Sequence, residues 1–242
     1  SITFVLPLLL FLFARMKRPR VMRPLVALAI GGTIFVLTLS FSRGGFVSLA
    51  AMLLALLVIE RRNKAVMATG LAMIAVGVIT APAVYWDRIG SLVEIGNRMT
   101  EDTAILSRMY TMKVALTLGI ENPLFGVGIE NFLFHVSRFI SLPNVVHNIF
   151  LQVFSELGAP GIVLFLWIVI YDFRVTRDLI RTPGDPVRRL AGRILLVQQI
   201  AVIVNSLFLP VAYDLILWVT LALPTLVRYT FDRSREVSPA GP

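Results

Sequence analysis

The sequence reads as an all-α protein, a polytopic bundle of transmembrane helices, on three grounds. Of its 242 residues 57% are hydrophobic and only 15% charged, with a mean hydropathy of +0.83; a soluble domain lacks the polar surface to offset such an excess. Several apolar runs approach the ~20 residues that a helix needs to cross a ~30 Å hydrocarbon core. None alternates with the period of two expected of a membrane β-strand.

The first run, 1–14, is short for a span and starts at Ser1 rather than a methionine. The chain is therefore read as the C-terminal part of a longer protein and as one integral membrane domain. A cleaved leader is excluded, because Arg15, Lys17, Arg18, Arg20 and Arg23 follow the apolar run instead of preceding it. Further spans are expected at 24–41, 45–59 and 65–86, then, after a long mixed connection at 87–157, at 158–173, 194–209 and 213–228. Under strict alternation the basic clusters fall on one side: Arg15 to Arg23, then Arg61, Arg62 and Lys64, then Arg174 to Arg193, then Arg228, Arg233 and Arg235. The bias of short loops makes that side the cytoplasm. The connection 87–157 is then the only sizeable extracytoplasmic part, and the tail from Ser238 to Pro242 reads as disordered. Topology thus accounts for the net charge of +9, and no nucleic-acid partner is expected.

Arg43 breaks the charge pattern. It lies in LSFSRGGFVS, a tight turn on the outer side, where positive charge is disfavoured. Two accounts stay open: an arginine that snorkels and caps a helix end at the headgroups, or an anion site beside glycines that let a ligand approach the backbone. In the outer connection, ILSRMYTMKVALTLG spaces Ile105, Leu106, Met109, Met112 and Leu116 on one helical face, as in a helix lying on the membrane. Arg108 sits at the edge of that face, and Gly119 is expected to stop the helix. Asn122-Pro123 and the pair Gly126 and Gly128 mark a turn-rich segment; lacking a preceding strand and a third glycine, it is no dinucleotide fingerprint.

Farther along, Pro143 and Asn144 read as a helix start with Asn144 as N-cap. This puts His147 in the first turn, where the helix dipole favours a neutral imidazole. Such a histidine serves either as a base or as an interfacial hydrogen-bonding group. Glu156, nine residues on, falls on the opposite side of a straight helix, so Glu130 is the freer acidic candidate. Scattered carboxylates and the lack of a paired-histidine spacing argue against a metal site. No G-x-S-x-G setting supports a serine hydrolase, and with no cysteine there is no thiol nucleophile.

Taken in order, the SRGG turn, SRMYTMKVALTLGIENPLFGVGIENF and HNIFLQVFSELGAPG resemble the O-antigen ligase and polymerase family, multi-span bacterial enzymes acting on lipid-linked glycans. In that family a loop arginine precedes a Pro-Leu-x-Gly-x-Gly segment, and a His-Asn-x-x-Leu-Gln start runs to Glu-x-Gly-x-x-Gly. Here those are Arg108, Pro123 to Gly128, His147 to Gln152, and Glu156 to Gly161. The resemblance covers about residues 39–173. It implies a GT-C-like glycosyltransferase of the bacterial cytoplasmic membrane, with the large loop on the periplasmic side and with neither cofactor nor metal. The implied reaction moves a glycan from an undecaprenyl-pyrophosphate-linked donor to a hydroxyl of an acceptor lipid or glycan.

In such a reaction the leaving pyrophosphate needs its charge neutralised, which Arg43 and Arg108 can do bidentately. A neutral His147 can take the acceptor proton, with Glu130, Asn148, Gly126 and Gly128 in support. The spacing from His147 to Gly158 resembles the ligase pattern and that from Arg108 to Gly119 the polymerase pattern, so a polymerase of the same family is the alternative. A lipid-linked glycan flippase is a reading of another class; it would more typically show charged or broken midplane helices, and these runs are nearly free of charge.

Overall fold

The computed structural model describes residues 2–15, 22–39, 43–61, 68, 103–137 and 145–237, and among them every regular element is helical. The expected span at 65–86, apart from residue 68, and residues 87–102 of the outer connection lie outside the described residues. In chain order the helices are α1 (Ile2–Arg15), α2 (Met22–Leu39), α3 (Arg43–Ile59), α4 (Thr103–Glu121), α5 (Phe132–Val136), α6 (Ile149–Arg181), α7 (Pro186–Ser206) and α8 (Leu215–Val237). Among the described residues two helices are long and apolar enough to cross a membrane, α6 and, over Leu215–Ser234, α8. The apolar stretches of α2 and α3, Pro24–Val36 and Gly44–Ile59, are shorter.

The chain divides into two compact units, the first made of Ser1–Met73, Trp167–Val204 and Asp214–Pro242. On α2 the buried residues Val26, Ile30 and Ile34 recur every fourth position, one stripe of a helix. They form a core with Leu6, Leu10 and Phe11 of α1, Leu49, Met52, Leu53 and Leu56 of α3, and Val197 and Ala201 of α7. Three polar contacts tie this unit together inside the protein, where groups away from water need partners. The Ser48 hydroxyl donates to the Ala201 carbonyl at 2.9 Å, the Gln199 amide donates to the buried Asp172 carboxylate, and Arg193 pairs with buried Glu60 at 2.8 Å.

Between α6 and α7 the hydropathy pattern suggests a long basic loop from Arg174 to Arg193, whereas the helices run through most of it. Thr182 to Asp185 alone form the turn, with Gly184 at φ 80°. Asp185 caps α7 by accepting the Arg188 N–H at 2.9 Å, and Pro186 takes the first helical position, where its missing N–H costs nothing. Arginine and leucine are good helix formers, so hydropathy marks where apolar contact ends and not where the helical backbone ends.

The second unit is Ile74–Leu166 with Asn205–Tyr213. Its core joins Val114, Ala115 and Leu118 of α4, Phe132 and Val136 of α5, and Val146. The other face of α4, with Leu106, Met109 and Leu116, is exposed, at 42%, 55% and 45%; it is the face that the spacing assigns to the membrane. Gly119 does not end α4, which continues to Glu121. A Cβ there would run into the Phe154 ring, so the glycine serves a close approach between α4 and α6.

Candidate functional site

Asn148 starts α6. Its Oδ1 accepts the Phe150 and Leu151 N–H groups at 3.0 and 3.1 Å, and its carbonyl accepts that of Gln152 at 2.9 Å, the geometry of an N-cap. The expected cap, Asn144, and Pro143 lie outside the described residues. His147 therefore stands just before the cap and not in the first turn, held between buried Val146 and the cap itself.

The His147 ring is half-buried, and its pKa is lowered from the ordinary 6.5, first by loss of hydration on burial and then by the positive charge of Arg108; a hydrogen bond to the Phe208 backbone opposes both. No protein group bonds its buried Nδ1. Arg108 lies on α4, exposed, with its carbonyl accepting the Thr111 hydroxyl at 2.9 Å. The unit thus brings together two of the three principal sequence candidates, Arg108 and His147. Arg43 is the first residue of α3 in the other unit, and its side chain is outside the described residues.

Beside this pair, two stretches far apart in sequence form one joint. At Gly158 the backbone takes φ 69°, ψ −163° and breaks α6 into two helical pieces, a conformation that only glycine adopts without strain. The carbonyls freed at the break need donors, and the Pro123 to Gly128 segment supplies them: Val127 N–H to Ser155 O at 2.8 Å and Gly128 N–H to Glu156 O at 3.0 Å. In return the Ala159 N–H donates to Pro123 O at 2.7 Å. Gly126, at φ 61°, leaves room for the Glu156 carbonyl, which any Cβ would strike. Gly126 and Gly128 therefore hold the break together.

Glu156 is 3% exposed and accepts the Tyr213 hydroxyl. The Tyr213 oxygen in turn accepts the Glu130 N–H at 3.0 Å. Glu130 is exposed and, at φ 59°, occupies the left-handed region without being a glycine. Its negative charge acts on Glu156 and Tyr213. Tyr213 escapes sequence reasoning, since nothing local marks it and its partner is 57 residues away; its aromatic character at the edge of an apolar run is the one available signal.

This arrangement offers a neutral imidazole as base, a neighbouring exposed guanidinium for an anion, and a broken helix whose ends are fixed by the loop that follows α4. Among the described residues no three His, Cys, Asp or Glu side chains gather as metal ligands. Residues 26–166 match the family model described as O-antigen ligase. No curated protein matches the chain.

Proposed function

The chain belongs to the O-antigen ligase family, matched over more than half of its 242 residues, and from that premise we propose that it joins a glycan from an undecaprenyl-pyrophosphate-linked donor to an acceptor hydroxyl at the outer face of the bacterial cytoplasmic membrane. The family is membrane-associated, and its ligase and polymerase chemistry implies a lipid-linked glycan and an acceptor. The acceptor oxygen forms a bond to the anomeric carbon as the bond from that carbon to the pyrophosphate oxygen breaks, and the acceptor proton passes to His147. Arg108, joined by Arg43, neutralises the departing pyrophosphate. Glu130, Asn148, Gly126 and Gly128 hold the surrounding loop and helix start in place. A multi-pass GT-C-like bundle with a periplasmic loop is the architecture that this reading requires.

The observation that carries the proposal is the coupling of His147 to Arg108. Burial and a neighbouring cation both disfavour imidazolium, which leaves the ring a base at neutral pH while the cation stays available for an anion. The experiment is transfer in membranes from purified lipid-linked glycan to an added acceptor. His147→Ala is expected to lower the rate by ~10²–10⁴-fold, the usual worth of a positioned base, and near-normal transfer would remove His147 from the mechanism. Arg43→Ala and Arg108→Ala are each expected to weaken donor binding. Chain extension with donor alone would assign the polymerase reaction instead.

A further inference from the structure

We propose that the C-terminal parts of α6 and α8, in the first unit, bind the phosphate headgroup of an anionic phospholipid. A cavity of about 420 Å³ there is lined by Tyr171, Thr225, Arg228, Tyr229, Asp232 and Arg233, a size suited to a small polar head. Five of the six come from α8, where 225, 228, 229 and 232 recur at helical spacing on one face.

Two arginines and one carboxylate line the cavity, and the carboxylate is already engaged. Arg188, itself 5% exposed, bonds one Asp232 oxygen at 2.7 Å, and the Arg228 Nε lies 3.6 Å from the other. Asp178 is a looser partner of Arg228, at 3.8 Å. Arg233 has no ion-pair partner among the described residues. With Arg188 pairing Asp232, the cavity lining carries net positive charge, and guanidinium forks suit phosphate oxygens.

The surroundings distinguish a lipid from a soluble phosphate. Trp167 and Tyr171 stack at 5.8 Å and are exposed, as are Tyr229 on α8 and, one turn before it, Leu226. Exposed aromatic rings at the end of an apolar run mark the headgroup level, and the run of arginines 174, 177 and 181 begins directly beyond. A ligand with an anionic head and acyl chains meets both halves of this surface. Basic pockets between helices on the cytoplasmic side hold such heads.

The test is native mass spectrometry of the full chain released from nanodiscs of mixed phosphatidylglycerol and phosphatidylcholine. Preferential retention of phosphatidylglycerol is expected, falling about fivefold in Arg233→Gln, the worth of one basic residue near an anionic surface, and further in the Arg228→Gln/Arg233→Gln pair. Arg233→Lys should keep most of it. Because Arg233 is exposed and has no ion-pair partner among the described residues, Arg233→Gln should melt as the wild type does in zwitterionic detergent and keep its transfer activity. Equal retention of the two lipids, or an unchanged preference in Arg233→Gln, would overturn the proposal. Displacement of phosphatidylglycerol by millimolar inorganic phosphate alone would assign the site to a soluble phosphate compound and overturn the lipid.

Discussion

His147 lies just before the N-cap of α6, and its half-buried setting beside Arg108 explains its chemistry. Burial and the Arg108 charge both oppose protonation, so the acid limb of a pH–rate profile should lie below 6.5, with the plateau reached by neutral pH. Arg108→Gln removes one of these two causes and should move the limb upward, toward 6.5, in the residual activity. Burial, the larger cause, remains, and a limb that shifts downward would contradict the assignment. Stability follows the same sign: a depressed histidine pKa means that the unfolded chain binds the proton more readily, so the fold should lose stability as pH falls below 6.5 and be indifferent above it. At the same scale, Tyr213→Phe strips a hydroxyl from buried Glu156 and an acceptor from the Glu130 N–H. A loss of about 1–3 kcal/mol is expected, read as a lower melting temperature in detergent. Sequence motifs singled out Arg108 and His147 because each stands in a recognisable stretch; Tyr213 belongs to no motif, and its role exists only through contacts distant in sequence.

Among the elements, α6 is the informative one. Its break at Gly158 and the Pro123 to Gly128 segment are read from sequence as two separate glycine-bearing motifs, and the fold makes them the two sides of one joint. Gly158→Ala must place a Cβ 2.6 Å from the Pro123 carbonyl at φ 69°. It should destabilise by at least ~1–3 kcal/mol, the cost of a residue held in a forbidden backbone region, and depress transfer by disturbing the loop beside His147. Gly31→Ala is the control: it lies inside α2 with nothing within 4 Å of its Cβ, so its melting temperature should hold or rise. Asn148→Ala should cost about 1 kcal/mol as a lost N-cap, whereas Asn144→Ala should leave the start of α6 intact. Thermal melts of the four variants rank them directly.

For the whole molecule, sidedness is the property most open to test, because the chain contains no cysteine and each introduced thiol reports alone. Leu124→Cys, at a site 65% exposed beside the α6 joint, should react with a membrane-impermeant maleimide on intact spheroplasts. Pro183→Cys, in the exposed turn between α6 and α7, should react only after permeabilisation. Labelling of both from outside would overturn the orientation drawn from the arginine bias.

By itself the sequence determined the helical class, the apolar runs, the basic ends and the ordered motifs that place the chain in its family, because these depend on composition and on spacing along the backbone. Tertiary structure decided which residues pack against α4, why Gly119 lies within that helix, that Asn148 caps α6, and that Glu156 pairs with Tyr213. Each of these depends on which distant groups compete for the same space or the same hydrogen bond. A glycine that ends a helix and one that admits a neighbouring ring look alike along the chain; the Phe154 ring against Gly119 is what separates them.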